Sequence, residues 1–347
     1  MSSTSVCRNS LGPVAVGRQA LQRVIPALLL ALLTMSGLPA QAQAQPQARS
    51  APACPPVAQA PTQEQLQAGV RSARDRGFLW RIAKDGRESY LFGTIHIGKL
   101  EWAFPGEKVR GALMATDTLA LEVDVTDPEL RKRMAPGAAA SGAAARTPLD
   151  PALIERIGKQ LDAACLPRPA VAQLHPVMQA ATLSILSARW DGLDPSFGQE
   201  IVLAGFARAG QRPIVSLESP ELQMKALVPV DAAKGLLMVD QMIAQLETGK
   251  TRATLVRMGE AWAAGNLAEM ENYEAWCDCT RSDEERAFLK RVNDDRNPNL
   301  ADRIDALHRD GKKVFAAVGA LHMTGPQALP KLMAERGYKV EPIEYTR

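Results

Sequence analysis

The chain has 347 residues, 46% of them hydrophobic and 23% charged, with a formal net charge of +3. This is ordinary globular composition with ample material for a core. No basic tract stands out, so nucleic acid is not an expected partner.

The N-terminus reads as an address rather than as fold. Arg18 and Arg23 precede an apolar run, Val24 to Leu33, and small residues follow at Ala40-Gln41-Ala42 and Ala42-Gln43-Ala44. A basic region, a short apolar core and an A-x-A site predict a cleavable secretory signal over residues 1–44, and hence a periplasmic or secreted protein. The run is short for a membrane span, an uncleaved anchor being the alternative, and no stable span is expected after cleavage. Removal of the signal takes away Arg8, Arg18 and Arg23 and no acid, so the 41 bases fall by these three to match the 38 acids. Cys7 leaves with it. The remaining Cys54, Cys165, Cys277 and Cys279 are an even set that favours disulfides in an exported chain, with three connectivities open. Cys277-Asp278-Cys279 is too tight for an easy direct bridge, so Cys54 and Cys165 are each expected to pair with one of these two. A metal site at this C-x-C is the alternative.

Residues 45–61, rich in Gln, Ala and Pro, read as a disordered leader, and 62–347 as one domain. Thr62 can cap a helix carrying Leu66, Val70 and Ala73. Phe78 to Ile82 and Ser89 to Phe92 then flank Asp85-Gly86, a strong hairpin signal. The second arm runs into Gly93-Thr94-Ile95-His96. A helix is predicted over Glu107 to Ala115, followed by a strand over Thr118 to Asp124 whose alternation places Leu119, Leu121 and Val123 on one face and Ala120, Glu122 and Asp124 on the other. Residues 134–146 are of low complexity and read as a flexible insertion. Asp150-Pro151 has the form of a helix start, and the pattern stays helical to about Arg208. Pro213 to Leu217 is a strand closed by Glu218, Ser219-Pro220-Glu221 opens a helix, and 222–292 form a large helical insertion. Asn297-Pro298 starts a helix to His308. Val314 to Val318 is a strand ending at Gly319 with His322 three residues on, and a helix over Pro326 to Arg336 and a strand over Tyr338 to Ile343 complete the chain. The whole is α/β: a central mixed sheet entered by a hairpin, surrounded by helices, with a helical insertion.

In both G-x-x-H segments an apolar strand ends at a glycine and then presents an imidazole. Ligands in open α/β sheets lie beyond the carboxyl ends of strands, so His96 and His322 would meet there if their strands are neighbours. Two histidines with carboxylates can hold a divalent cation with positions left for water and substrate. The acids on offer are Glu122, expected in mid-strand, and Glu218 at a strand-to-helix turn. Arg296 could receive a substrate carboxylate or a developing negative charge. Against this stand ordinary roles: a strand-end histidine that is only structural, a Glu122 paired with a base, a Glu218 serving a helix start, a solvated Arg296. His175 and His308 are read as structural, and Trp102, Trp190, Trp262 and Trp276 as packing. No G-x-S-x-G, H-E-x-x-H or P-loop occurs, which removes the motif basis for a serine hydrolase, zincin or nucleotide-binding reading.

Taken in order, Leu79-Trp80, Tyr90 to Gly98, Leu121 to Asp124, Gly210 to Gln223, Arg296-Asn297 and Val318 to Gly325 resemble the TraB/GumN family, which includes the animal Tiki proteins. The similarity runs over roughly Gly77 to Ile343. It implies a fold similar to erythromycin esterase and the ChaN haem-binding protein. By analogy with Tiki it also implies a metal-dependent peptidase, with Gly93/His96, Gly319/His322 and Glu122 as the essential positions. His96, Glu122 and His322 would hold manganese or cobalt (zinc being the further option), with Glu218 as a further ligand or base and a peptide or small molecule as substrate. The alternatives are a periplasmic haem, iron or small-ligand binding protein on the same scaffold, or an enzyme of envelope polysaccharide export. Ala320-Leu321 departs from the polar or glycine residues often seen inside the second motif, and the Tiki membrane tether has no counterpart at the C-terminus.

Overall fold

The computed structural model describes residues 54–134 and 148–345. The expected signal over 1–44, the leader up to residue 53 and nearly all of the 134–146 insertion lie outside the described residues. Cys54 to Pro61 carry no helix or strand.

The hairpin forms where its turn residues place it. Strand β1 (Phe78–Lys84) pairs antiparallel with β2 (Arg87–Thr94), from Phe78 opposite Gly93 to Lys84 opposite Arg87. The two-residue loop uses positive φ at both Asp85 (49°) and Gly86 (71°), the turn that matches strand twist. Four more strands follow: β3 (Thr118–Leu121), β4 (Ile214–Ser216), β5 (Val314–Gly319) and β6 (Lys339–Pro342). They form one six-stranded mixed sheet in the order β4-β3-β5-β2-β1-β6. β4, β3, β5 and β2 are mutually parallel, and β1 is antiparallel to both its neighbours. Four carboxyl ends therefore share one edge of the sheet.

The centre of the sheet is covered on both sides, which corrects one expectation. All four residues of β3 are buried, not only the alternate ones, and Val314 to Val318 are fully buried. A parallel strand between helical layers loses its period-two signal because neither face meets water. β3 also stops at Leu121, so Glu122 lies just beyond the strand end rather than in mid-strand. Helices packed on the sheet supply Leu203, Ala204, Leu300, Ala301 and Ile304 to the same core. Each large apolar side chain buried there contributes roughly 1.5–3 kcal/mol.

The helical region 222–292 holds the helices Ala232–Glu247, Lys250–Ala263 and Asp283–Val292 with shorter pieces between. A second, smaller apolar core forms where Ala232–Glu247 meets the helices Pro151–Ala163 and Pro176–Ser187. It contains Leu153, Ile157 and Leu161, together with Val177, Ala180, Leu183, Val239 and Ile243. The i, i+4 spacing of Leu153, Ile157 and Leu161 aligns them along one helical face. Asp150 caps the first of these helices, accepting from the Ala152 N–H at 2.7 Å. Among the described residues no helix is long and apolar enough to cross a membrane.

The cysteines do not pair as expected. Cys54 bridges Cys165, with Cα atoms 5.6 Å apart, and Cys277 bridges Cys279 at 5.1 Å. The short bridge is feasible because Asp278 turns into the left-handed region (φ 58°), which folds its neighbours together. The C-x-C thiols are thereby consumed in a disulfide rather than presented to a metal. By chain entropy the long bridge, spanning 111 residues, is worth about 5 kcal/mol and the one-residue loop only about 1.5 kcal/mol.

Candidate functional site

The residues singled out in the sequence converge at the common carboxyl edge. Across the order β4-β3-β5-β2, Glu218 follows β4, Glu122 follows β3, His322 follows β5 and His96 follows β2. Thr94 is in register with Gly319, so the two motif strands are direct neighbours. The Glu218 N–H donates to the Glu122 carbonyl at 2.9 Å, extending the β3-β4 ladder into the site.

The first motif glycine is closely packed, and the second faces the site. A Cβ on Gly93 would lie 3.1 Å from the Phe78 ring and 3.3 Å from the Ala320 Cα. A Cβ on Gly319 would lie 3.3 Å from Glu122 Oε1, 3.5 Å from His322 Cδ2 and 3.8 Å from His96 Nε2. That second position marks a gap bordered by both histidines and the first acid.

Each imidazole is oriented through Nδ1. His322 is buried, and its Nδ1 lies 2.5 Å from Asn297 Oδ1. Asn297 Nδ2 donates to the carbonyls of His322 (3.2 Å) and Gln327 (2.7 Å), which fixes the amide so that its oxygen faces the ring. The proton of His322 therefore sits on Nδ1, and Nε2 carries a lone pair directed into the site. Burial, with Arg296 and His96 adding to it against Glu122, pushes the His322 pKa down to about 4. His96 has its Nδ1 3.1 Å from Glu200 Oε1, on the first turn of helix Gln199–Ala209. Glu200 in turn accepts from the Thr94 hydroxyl. The His96 ring forms part of the site floor, yet 65% of its side chain is open to solvent. The Glu200 charge raises its pKa to about 9.

Arg296 ties the acids together. Nε donates to Glu218 at 3.1–3.2 Å, and Nη2 donates to both Glu122 and Glu218. Nη1 donates to the Val292 carbonyl at 2.9 Å and faces His322 Nε2 at 3.3 Å. A guanidinium has five N–H groups, and each of them meets an acceptor here. As the side chains stand, these acceptors occupy the donors that the sequence offers to a substrate carboxylate or a developing negative charge. Burial works against the Glu122 charge, but His322, Arg296, His96 and the Gly319 N–H hold its pKa at about 2. Of these the Arg296 pair is the decisive one, since His322 is itself neutral. The Gly319 N–H reaches Glu122 Oε1 at 2.7 Å, and Gln223 Nε2 reaches Oε2 at 3.4 Å.

All five expected site residues are thus in one place. Glu200 and Asn297, which hold the two rings, are not among the site residues that the sequence points to, although Asn297 stands in the Arg296-Asn297 pair of the resemblance. Asn297 could have been found as the neighbour of Arg296 at a helix start, whereas nothing distinguishes Glu200 from other acids in first helical turns. His308 is structural as expected, its Nε2 3.0 Å from the Lys84 carbonyl, and His175 caps the helix Pro176–Ser187. Trp262 is buried in the core, and its indole N–H donates to the Gly93 carbonyl at 2.7 Å, beneath the first motif.

The donors fit a divalent cation in kind. Two imidazoles have Nδ1 committed to an oxygen acceptor and an ionised carboxylate borders the same gap, so a cation would take His322 Nε2 in place of its Arg296 Nη1 contact. As they stand, no three His, Cys, Asp or Glu side chains among the described residues are placed to close on an ion. The Arg296 guanidinium is bonded to both acids.

A six-stranded mixed sheet with two G-x-x-H histidines, an acid pair and an arginine at its carboxyl edge defines the class. The chain belongs to the TraB/PrgY/gumN family, whose model matches residues 78–342. Among curated proteins it is similar to "Uncharacterized protein YbaP" of Shigella flexneri and of Escherichia coli K12. Each is 26% identical over 255 residues, covering 71% of this chain and 88% of the relative. No solved structure matches the chain, so the expected likeness to erythromycin esterase and ChaN gains nothing from that comparison.

Proposed function

We propose that the protein is an exported hydrolase that cleaves a peptide or similar acyl bond with the help of a divalent cation, manganese or cobalt before zinc. The carrying observation is that His96, His322 and Glu122 all border the gap before Gly319, with both rings held through Nδ1. His96, His322 and Glu122 would hold the cation, which when bound supplies Lewis acidity to a substrate carbonyl.

The remaining chemistry belongs to the chain. Glu200 and Asn297 fix the two imidazoles. Arg296 ties Glu218 to Glu122 and helps to hold the Glu122 carboxylate ionised. Since His96 is the open member and Glu122, Glu218 and His322 are buried, substrate would arrive from the His96 side. The two disulfides support export, because such bridges persist in oxidising compartments.

The test is a peptide-library cleavage screen on the mature chain with added manganese or cobalt and with chelator, His96→Ala being the control. Cation-dependent cleavage abolished in His96→Ala is expected. Metal or haem uptake without any turnover would instead favour a binding protein.

A further inference from the structure

The Cys277–Cys279 bridge joins no separate elements. Its loop is already held by other contacts. Thr254 Oγ1 donates to the Cys277 carbonyl at 3.4 Å, Gln245 Nε2 to the Asp278 carbonyl at 3.4 Å, and Lys250 and Arg281 both pair with the Asp278 carboxylate. Tying residues that are neighbours but one removes little chain entropy. A structural role is therefore weakly supported, unlike that of Cys54–Cys165.

The two sulfurs are in different surroundings. Cys277 is buried, 3% exposed, whereas Cys279 is half-buried and lines a groove of about 250 Å³ between the helices Ala232–Glu247 and Asp283–Val292. Leu237, Met238, Met242 and Phe288 form the apolar wall of that groove. The Cys279 N–H points at Cys277 Sγ, 3.1 Å away, where it would stabilise negative charge on that sulfur. Lys250 and Arg281 both pair with the Asp278 carboxylate between the two cysteines, and Glu284 and Glu285 line the groove beside Cys279.

We infer that Cys277–Cys279 is a thiol–disulfide exchange site whose substrate is a peptide segment bearing cysteine thiols among apolar residues, seated in this groove. A substrate thiolate attacks Cys279 Sγ, the Cys277–Cys279 bond breaks, and its electron pair leaves on Cys277 Sγ. The new bond is a mixed disulfide between substrate and Cys279. A second substrate thiolate attacks the substrate sulfur of that bond and releases Cys279 as thiolate. The substrate dithiol is oxidised to a disulfide, the protein is reduced by two electrons, and the two substrate protons pass to solvent or to the new cysteine thiols.

The test uses the full mature chain and a synthetic peptide with two cysteine thiols flanked by leucines, with dithiothreitol as the small comparator. Alkylation and mass spectrometry follow each bridge. The peptide is expected to reduce Cys277–Cys279 about tenfold or more faster than Cys54–Cys165. Leu237→Glu should slow the peptide reaction several-fold and leave the dithiothreitol rate unchanged. Met242→Gln gives the same reading should Leu237→Glu not fold. Cys277→Ser should trap the oxidised peptide as a mixed disulfide on Cys279. Equal rates at the two bridges, or a groove substitution without effect on the peptide rate, would overturn the inference.

Discussion

Replacing Arg296 by Gln removes the one cation between two buried carboxylates. The side chains of Glu122 and Glu218 are 8% and 3% exposed, and both accept from the same Nη2. Breaking a buried pair by deleting one partner costs about 3–5 kcal/mol, because the surviving charge is left uncompensated. Here two carboxyl groups lose their shared donor, and the Val292 carbonyl and His322 Nε2 also lose theirs, so the upper half of that range is expected. Part of the loss should be recovered by relaxation, as one carboxyl takes up a proton and hydrogen-bonds to the other. The assay is urea unfolding of Arg296→Gln against the parent at neutral pH with chelator present, together with thermal melts, which should fall by on the order of 10 °C. Arg296→Gln combined with Glu218→Gln should recover stability relative to the single variant, since one of the opposed charges is then gone. A loss below about 1 kcal/mol in the single variant would refute the reading of Arg296 as the tie between the acids, because that is what an exposed pair yields.

Three further expectations follow from the same geometry. Gly319→Ala keeps an allowed backbone (φ −51°, ψ 141°) but puts a methyl into the gap, so melting should shift little while turnover falls about 100-fold from the displaced groups. Asn297→Ala frees the His322 ring, and cation affinity or activity should drop about 10–100-fold with the His322→Ala effect as the ceiling. In chelator, stability should fall as pH drops from about 6.5 to about 4, because unfolded His322 takes up a proton that the folded ring resists until about 4. The shift corresponds to roughly 3 kcal/mol. Urea unfolding across that pH range checks it, with a smaller slope expected in His322→Gln.

The parts of this fold that were legible in the sequence are those set by local chemistry. Asp85-Gly86 announces its hairpin because few dipeptides tolerate two positive φ values, and Asp150-Pro151 announces a helix start for similar reasons. The motif glycines were legible as strand ends, and their real constraint, a Cβ-sized gap shared with Ala320 or Glu122, is tertiary. β3 misled because alternation was read into a strand buried on both faces, which placed Glu122 one element too early. The cysteine pairing was misjudged because the conformation of Asp278, which closes the short bridge, has no sequence signal beyond a mild Asp preference. Arg296 is legible as a site candidate, whereas only coordinates show its donors engaged by Glu122, Glu218, the Val292 carbonyl and His322. Glu200 was invisible, its role depending on where a helix start meets the end of β2.

The central claim, that His96, His322 and Glu122 hold a divalent cation, is tested most directly by titrating the chain from residue 45 onward with cobalt. Binding is followed by calorimetry in buffers of different protonation enthalpy and by the visible spectrum of the ion. The account predicts one ion per chain and release of about one proton near neutral pH, because His96 is protonated through Glu200 until the ion takes Nε2. It also predicts that binding is lost in both His96→Ala and His322→Ala. No cobalt uptake by the folded parent, or uptake that survives in both histidine variants, would contradict it.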